Sequence, residues 1–574
     1  MMLGLRHSTS DILARASIVT FLLLRYSCCY LLYLTEFRGV QGSRNEYDVR
    51  HNKDSDGDSD TKKAVRNTTA VTVSSLVRVN EKEQTIRIEP TDNQLLVPKN
   101  KATKHKFGHN VWKSEFLLNY TNFNHGSFGA CPKKILDYQS SLRLQQEQQP
   151  DIWMRRHYKE LMNTTRQKIA KYINVNVNEL VLVESTSTAV NSLLRSFEWN
   201  SQQNQNSIAY FTTAYGMVKN TAKFLKEQQQ QQQQTSTGSR GGIEIVEIPV
   251  LGFPITLEVG DDAFLIPMKE SLEQIHHPNR TDQFCFRVVL LDHMVSCPGI
   301  KTPIRELASL IKEYCPHTFV LVDGAHALGQ IQNLDLPTQF GSNIDAYISN
   351  GHKWFYTPKG SAFLWFNSSR VTNTFPEPTV ISSSNPITSS SSLEDDNKHV
   401  VMTSFSKRFE YTSTRDYTAL LSFDAAFDFR SDVLGGDAAI YEYVRKLALS
   451  ARRYLLDAWN TTAVVPEYME EFMINIGLPF DIAKDPSTKG EELQEYLLKQ
   501  YNMYIVVIYN PTNCGFVYTR LSSQVYLEFS DFVRLGDAVL EFVHEAKSTT
   551  TSAIIEDSNS SSSSSSSLEG EKIE

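Results

Sequence analysis

The feature that most constrains the fold is a regular alternation of short apolar runs with helical patterns between residues 180 and 348. The apolar runs have the length of strands and cover residues 180–183, 208–212, 243–250, 287–291, 319–322 and 346–348. Helical patterns separate them, for example at 188–197 and 304–314. Strands that are apolar on both faces and alternate with helices indicate a mostly parallel sheet covered on each side. We therefore expect an α/β fold with three layers, αβα.

The pattern changes after residue 400. Helical stretches at 419–429 and 438–460 are followed by a strand-like run at 503–508 and then by the segment TRLSSQVYLEFSDFVRLGDAVLEFV. Helices and strands that no longer alternate are typical of an α+β arrangement. The sequence therefore predicts a second, smaller C-terminal domain.

Three low-complexity segments lack the apolar content needed to offset the entropy of ordering them: the glutamine run 228–234, the Ser/Thr-rich stretch 381–396 and the serine run 560–567. We expect exposed insertions and a tail. The predicted organisation is a hydrophobic segment at 1–40, a disordered lead-in at 41–105, an N-terminal arm and large domain at 106–378 with a Gln-rich insertion near 226–241, a Ser/Thr-rich insertion at 379–400, a small domain at 401–548 and a disordered Ser-rich tail at 549–574.

The N-terminal segment admits three interpretations. Residues 18–34 are apolar over the length of a short membrane span, but Arg25 lies in the middle, which costs about 2.5–3.5 kcal/mol on insertion scales. The segment could attach the chain to a membrane or serve as a secretory signal. Arg6, Arg15 and Arg25, with few acidic residues nearby, also suit an organelle transit peptide. A segment with neither role is the third alternative.

Composition excludes several classes of partner. A net charge of −8 without a basic stripe gives no reason to expect nucleic acid. The seven cysteines are too few and too scattered for a disulfide framework, and no CxxC pair indicates zinc or another metal site. A reducing compartment is the simpler interpretation for the folded part.

The chemistry is concentrated in LVDGAHALGQ and ISNGHKWFYTPKG. Asp323 ends an apolar run, and Lys353 follows thirty positions later among small and aromatic residues. An aldehyde cofactor with a pyridine ring requires such a pair, because an amine must form a Schiff base and a carboxylate must keep the ring nitrogen protonated. Alone, Asp323 could be a turn former and Lys353 a solvated lysine. Together with the nearby His326 and His352, they favour a site.

These motifs also carry a resemblance. From FNHGSFGACP, which begins at Phe123, through DGAHALGQ and NGHKW to YTRLSSQVY near residue 526, the chain resembles fold-type I pyridoxal-phosphate enzymes of the class V aminotransferase family. Within it, the chain is similar to the isopenicillin-N epimerase-like and cysteine desulfhydrase-like group. The resemblance implies pyridoxal 5'-phosphate as cofactor, an amino acid as substrate and a homodimer with shared active sites.

The resemblance also implies roles for single residues. Lys353 carries the cofactor and later moves the α-proton of the substrate, Asp323 binds the pyridine nitrogen, and Tyr215 covers the ring. The remaining cofactor contacts are His326 at the phenolic oxygen, Thr186, Ser187, Thr188 and Asn350 at the phosphate, Ser296 at a cofactor oxygen, His352 beside the lysine, and Thr414 reaching the phosphate of the neighbouring subunit. Arg520 holds the substrate carboxylate, and Asn124 and His125 line the substrate cavity. Ordinary structural roles stay open for several of these residues: a helix cap at 185–188, core packing for Tyr215, His326 and His352, a surface position for Arg520, and a glycine-rich turn at 124–125.

The reaction branch depends on family analogy. A desulfurase that relays a persulfide is disfavoured, because the chain has no cysteine between Cys315 and Cys514 and Cys514 lies close to Arg520 in the sequence. We expect a lyase that acts on cysteine or a related amino acid by α-proton abstraction and β-elimination. The alternatives are transamination, epimerisation, or a membrane-tethered interaction protein without catalysis.

Overall fold

The computed structural model describes residues 107–197, 199, 206–234, 242–275, 285–368, 376–382, 405–479, 486–510 and 516–562. The hydrophobic segment 1–40 and the lead-in 41–105 lie outside the described residues, as do most of the Ser/Thr-rich insertion and residues 563–574. No helix within the described ranges is long and apolar enough to cross a membrane. Attachment through residues 18–34 therefore stays a prediction.

Helices and strands alternate through the first two thirds of the described chain. The helices are α1 His109–Glu115, α2 His125–Phe128, α3 Lys133–Gln148, α4 Pro150–Ile152, α5 Tyr158–Tyr172, α6 Thr186–Ser196, α7 Gly216–Gln234, α8 Asp262–Ile275, α9 Ile304–Tyr314, α10 Leu336–Phe340, α11 Gly351–Trp354, α12 Thr418–Leu421, α13 Phe423–Asp428, α14 Asp437–Ala458, α15 Pro486–Tyr501 and α16 Phe529–Ser562. The strands are β1 Thr121–Asn122, β2 Leu180–Val183, β3 Ser207–Phe211, β4 Glu244–Ile248, β5 Val288–Asp292, β6 Phe319–Asp323, β7 Ala346–Asn350, β8 Ala362–Phe366, β9 Met473–Gly477, β10 Met503–Tyr504, β11 Val506–Asn510 and β12 Phe516–Ser522.

A seven-stranded sheet forms the centre of the large domain, in the order β2-β8-β7-β6-β5-β3-β4. The pairs among β3 to β7 are parallel, and β8 is antiparallel to both of its neighbours. Successive residues of each strand enter two different hydrophobic clusters, one on each face of the sheet. The expected α/β class, with a mostly parallel sheet buried on both sides, is confirmed.

The seven-stranded sheet brings six strand ends to one edge. Because β8 alone runs opposite to its neighbours in this sheet, the carboxyl ends of β2, β3, β4, β5, β6 and β7 all lie at the same edge. Asp292 and Asp323 are register partners there, at the ends of β5 and β6. Ligands of open α/β sheets bind at this edge.

The C-terminal part contains a three-stranded antiparallel sheet, in the order β11-β12-β9, and the long helices α14 and α16, which is the α+β arrangement expected for the smaller domain. Strand β1 of the N-terminal arm pairs in parallel with β10, so that Thr121 lies opposite Met503. This pairing holds the arm that carries Asn124 against the strand-rich part that carries Arg520.

Two low-complexity segments differ from expectation. Residues 228–234 of the glutamine run are the last turns of α7, and Gln229 is buried and donates a hydrogen bond to the Trp199 carbonyl (3.0 Å). The backbone of α16 continues to Ser562, into the tail expected to be disordered. Both segments extend an amphipathic helix, and adding a residue to a formed helix costs much less than nucleating one.

One pair of cysteines also differs from expectation. Cys285, just before β5, and Cys315, directly after α9, form a disulfide with 5.7 Å between their Cα atoms. The pairing could not be predicted from the sequence, because the two cysteines are 30 residues apart and only the crossover from β5 to β6 brings them together. A fully reduced folded part, as expected from the cysteine count, is not what the structure contains.

Candidate active site

Lys353 lies in the first turn after β7, and its amine contacts His326. The distance from Lys353 Nζ to His326 Nε2 is 2.9 Å, and Trp354 Nε1 lies 3.3 Å from His326 Nδ1. An indole nitrogen can only donate, so Nδ1 accepts and the proton of neutral His326 is on Nε2. His326 can donate this Nε2–H to Lys353 only if the amine is unprotonated and has a free lone pair. The geometry therefore favours Lys353 as an unprotonated nucleophile.

Electrostatics point the same way. Burial lowers the pKa of Lys353 to about 8, although the carboxylate of Asp323 opposes the shift, and Arg520 lowers this pKa further. Burial also lowers the pKa of His326 well below its usual range, and Lys353 adds to this effect. A neutral imidazole beside a partly neutral amine is thus the stable combination near neutral pH.

Asp323 is buried at the end of β6, where its Oδ1 accepts a hydrogen bond from the Ala325 N–H (2.9 Å). Burial raises its pKa, while that hydrogen bond and Lys353 work against the increase. The following Gly324 packs against Tyr347: a Cβ there would lie 2.5 Å from the Tyr347 hydroxyl oxygen. A buried carboxylate of this kind is stabilised when a cationic ring nitrogen lies beside it.

The N-terminus of α6 follows β2 at the same edge. Ser185 caps it, accepting from the Thr188 N–H (3.1 Å), and the Asn350 side chain accepts from the Thr186 N–H (3.0 Å) and lies 3.3 Å from the Thr186 hydroxyl. Within the described residues the N–H of Ser187 has no protein partner. A helix start with hydroxyl groups and a free N–H suits an anion such as a phosphate. Asn350 contributes by holding Thr186 in place.

Tyr215 and Thr414 are exposed. The side chain of Tyr215, between β3 and α7, is 57% exposed, which excludes the role of a core tyrosine. Thr414 bonds to the Tyr411 hydroxyl (2.9 Å), and the next residue, Arg415, pairs with Glu184 beside the α6 cap. The loop of Thr414 therefore lies next to the expected phosphate site, and the Thr414 side chain is exposed.

Arg520 on β12 is not a surface residue, since its side chain is only 1% exposed. Its Nη2 donates to Asn124 Oδ1 (2.6 Å) and Ser127 Oγ (2.8 Å), and its Nη1 donates to the Ser296 carbonyl (2.6 Å). No carboxylate of the described residues pairs with it, and its Nε has no hydrogen-bond partner. A buried cation without a counter-ion is costly, so this site favours an anionic ligand.

The two residues of the FNHG motif have different surroundings. Asn124 binds Arg520 and so belongs to the expected substrate site. His125 does not line a cavity: it is fully buried, its Nε2 donates to the Lys353 carbonyl (2.6 Å), and its Nδ1 accepts from the Tyr526 hydroxyl (3.1 Å). Burial lowers the pKa of His125 to about 3, which keeps the ring neutral. Its role is to position the backbone of Lys353.

Two further predicted residues have protein partners of their own. The hydroxyl of Ser296 lies 3.2 Å from Arg520 Nη1, so this residue supports the arginine. His352 donates from Nδ1 to the Ser361 carbonyl (3.2 Å), and burial lowers its pKa to about 4. His352 thus packs beside the lysine and has no contact with its amine among the described hydrogen bonds.

Sequence reasoning missed three residues at this site. Ser127 binds Arg520, Cys297 has its sulfur 3.5 Å from Arg520 Nη1, and Asp292 ends the strand beside Asp323. The last of these had a signal, because a carboxylate after an apolar run marks a strand end. Ser127 and Cys297 had none, because their partner is hundreds of positions away in the sequence.

The arrangement brings together an amine of lowered pKa, a buried carboxylate, a helix N-terminus with hydroxyl groups, an exposed aromatic ring and an arginine that pairs with no carboxylate of the described residues. These groups match the aldehyde, pyridine nitrogen, phosphate and ring face of pyridoxal phosphate, together with the carboxylate of an amino acid. The residues present therefore fit the cofactor.

Comparison with known proteins agrees with this geometry. The sequence profile of the family described as "Aminotransferase class-V" matches residues 272–483. The chain is 27% identical to an L-cysteine desulfhydrase of Arabidopsis thaliana, over 75% of this chain and 90% of the relative. It is 24% identical to a hercynylcysteine sulfoxide lyase of Schizosaccharomyces pombe, over 77% of this chain and 99% of the relative.

A solved structure shares the fold. The cystine C-S lyase C-DES, in complex with its reaction product cysteine persulfide, superposes with a TM-score of 0.55 at 17% identity, over 74% of this chain and 98% of the lyase. The fold, the site residues and the matches in sequence agree: the chain is similar to the class V aminotransferase family, and its site fits pyridoxal phosphate.

Proposed function

We propose that this enzyme is a carbon–sulfur lyase that acts on cysteine or a related amino acid, removing the α-proton and eliminating the sulfur group from Cβ. For cysteine the products are sulfide, pyruvate and ammonia. The observation that carries the proposal is a buried amine of lowered pKa, Lys353, which feels the charges of the buried Asp323 and of Arg520, an arginine that pairs with no carboxylate among the described residues.

Pyridoxal phosphate, when bound, supplies an aldehyde that condenses with amines and a ring that withdraws electrons from Cα. Asp323 would hold the ring nitrogen, and Tyr215 would cover the ring. Thr186, Ser187 and Thr188 would hold the phosphate through their hydroxyl groups and the free N–H of α6. The Nε2–H of His326 is a donor suited to the phenolic oxygen.

Arg520 would bind the α-carboxylate of the substrate. Asn124, Ser127 and Ser296 hold its guanidinium with hydrogen bonds of 2.6–3.2 Å, so it is fixed before the substrate arrives. Fixing the carboxylate end of the amino acid would hold Cα within reach of the lysine. Part of the binding free energy is thereby used to orient the substrate for reaction.

Lys353 would then take the α-proton at Nζ. Burial and the neighbouring His326 keep this nitrogen available as a base near neutral pH. His125 holds the lysine backbone from the opposite side through the Lys353 carbonyl, so the amine is presented from a rigid turn.

The choice of elimination is supported by the relatives, which are named for cleavage of carbon–sulfur bonds. The test is a screen of purified, cofactor-loaded protein with L-cysteine, in which sulfide, pyruvate and ammonia are measured together. We expect the three products in equal amounts, with no requirement for an added keto acid. Amino transfer to a keto acid without sulfide supports the aminotransferase alternative, and conversion of an L- to a D-amino acid supports the epimerase. A protein that stays colourless with added cofactor supports the non-catalytic alternative.

We further propose a homodimer with shared sites, in which Thr414 of each subunit completes the phosphate site of the other. The exposed Thr414 loop beside the α6 cap supports this arrangement. The test mixes two variants with impaired sites, Lys353→Ala and Thr414→Val, under conditions of subunit exchange and compares the activity with that of each variant alone. A shared site predicts recovered activity, because one site of each mixed dimer then has both native residues. No recovery despite exchange contradicts it.

A further inference from the structure

A thiol lies beside the guanidinium of Arg520. Cys297 follows Ser296 in the connection after β5; it is free and exposed, and its Sγ lies 3.5 Å from Arg520 Nη1. Cys131, the other free cysteine of the described ranges, is buried. The two free thiols thus have different surroundings, and only that of Cys297 belongs to the proposed substrate site.

Arg520 provides a second, independent reason to place a ligand there. Its side chain is 99% buried, its Nε has no partner, and no carboxylate in the described part of the chain neutralises it. A substrate carboxylate that pairs with this guanidinium brings the rest of the amino acid close to the Cys297 sulfur.

The thiol is also close to the base. After burial, Asp323 and Arg520, Cys297 is the next group that acts on the pKa of Lys353, and its negative form raises that pKa. Cys297 is therefore in contact with the group proposed to bind the carboxylate and in the neighbourhood of the group proposed to remove the α-proton.

We infer that the Cys297 thiol is a catalytic acid that donates its proton to the sulfur leaving Cβ, an inference that rests on the proposed lyase function. The α-proton goes to Lys353, and the electron pair of that C–H bond forms the Cα–Cβ double bond. The Cβ–S bond breaks with its electron pair on sulfur, the S–H bond of Cys297 breaks, and a new S–H bond forms on the departing sulfide. The thiolate that remains lies 3.5 Å from the Arg520 cation and is reprotonated by solvent, to which it is exposed.

The chemistry of a thiol suits this role. A sulfur donor and a sulfur acceptor have similar proton affinities, which is the condition under which general acid catalysis is efficient. A guanidinium next to the sulfur stabilises the thiolate produced by the transfer. The proton affinity of a hydroxyl group at the same position would not match that of the departing sulfur.

The experiment compares two leaving groups. Hydrosulfide is a poorer leaving group than chloride, so a proton donor should speed its departure from L-cysteine, whereas the departure of chloride from β-chloro-L-alanine gains little from one. We expect Cys297→Ala to lower kcat for L-cysteine by about 10²-fold more than kcat for β-chloro-L-alanine, the size typical of a lost general acid. Cys297→Ser serves as the matched variant of similar size and is expected to remain closer to the alanine variant than to the wild type. Equal losses on both substrates, or no loss on either, overturn the inference.

A second measurement does not depend on turnover. Iodoacetamide should label Cys297 and leave the buried Cys131 unlabelled in the native protein, as read by peptide mass. Saturating L-alanine, which carries no leaving group, should slow the labelling of Cys297 at least several-fold. Labelling that is insensitive to L-alanine removes the thiol from the substrate site. A wild-type protein that eliminates neither sulfide nor chloride overturns the proposed function itself, and the role of Cys297 falls with it.

Discussion

The amine of Lys353 and Nε2 of His326 lie 2.9 Å apart, and the indole N–H of Trp354 donates to the other imidazole nitrogen, Nδ1. The proton of the neutral imidazole is therefore on Nε2, next to the lysine. Because the indole N–H occupies the other imidazole nitrogen, His326 can only donate to the lysine. The lysine is thereby kept ready for reaction before any ligand binds.

The first prediction concerns the lysine itself. Lys353→Ala should abolish the visible absorption of the bound cofactor and lower kcat by about 10³-fold or more, because both the nucleophile and the base are removed. Absorption spectra and product release measure the two effects. Lys134→Ala, at an exposed position of α3, is the control and should behave as wild type. A yellow, active Lys353→Ala enzyme contradicts the assignment.

The pH dependence of cofactor capture follows from the lowered pKa. The neutral amine reacts, so the rate at which the cofactor-free protein binds pyridoxal phosphate should rise with pH and level off above about 8, the pKa of Lys353. An ordinary lysine would continue to gain reactivity up to ~10.4. Asp323→Asn should move the midpoint to lower pH, because the Asp323 charge raises this pKa. Stopped-flow absorbance across pH 6–10 gives the midpoint; one above ~10 contradicts the prediction.

Trp354→Phe tests the selection of the tautomer. The change keeps an aromatic ring but removes the N–H that lies 3.3 Å from His326 Nδ1. His326 can then carry its proton on Nδ1 and accept from a protonated lysine. The midpoint of the same capture profile should therefore rise by several tenths of a pH unit or more, because one new hydrogen bond to the charged amine contributes roughly 1 kcal/mol. An unchanged midpoint shows that the indole does not control the amine.

Arg520 should affect substrate binding. Arg520→Lys retains the charge but loses the planar fork, and we expect KM for the amino acid to rise about 10- to 100-fold, with cofactor absorption retained. Steady-state kinetics with the exposed Arg534→Lys as control give the comparison. An effect confined to kcat, with KM unchanged, argues against a carboxylate at this position.

The disulfide should be found by peptide mapping of the protein purified without reductant, as a linked pair of Cys285 and Cys315 peptides. Replacing Cys285 with Ser should lower the free energy of unfolding by roughly 3–4 kcal/mol on the loop-entropy estimate for a 30-residue separation. Denaturant unfolding measures the change, and wild type treated with reductant is the matched control. Two free thiols in the unreduced protein contradict the pairing.

The sequence by itself determined the architecture and the chemical centre of this protein. Alternating apolar runs and helical patterns dictate a buried parallel sheet, and a carboxylate and a lysine placed directly after two of its strands must meet at one edge, because parallel strands end together. Local periodicity and the chemistry of turns are enough for these inferences. The proposal that Asp323 and Lys353 act together at this edge needed no coordinates.

Only the tertiary structure decided how that centre is completed. Arg520 meets Asn124 across 396 positions, His125 packs beneath a lysine 228 positions away, and Cys297 lies beside Arg520 across 223 positions. The first of these contacts is supported by the pairing of β1 with β10, which brings the N-terminal arm with Asn124 to the C-terminal part of the chain. No local pattern encodes such pairings, since they depend on how whole elements pack. The burial of Arg520, away from any carboxylate of the described residues, likewise exists only once these elements have packed.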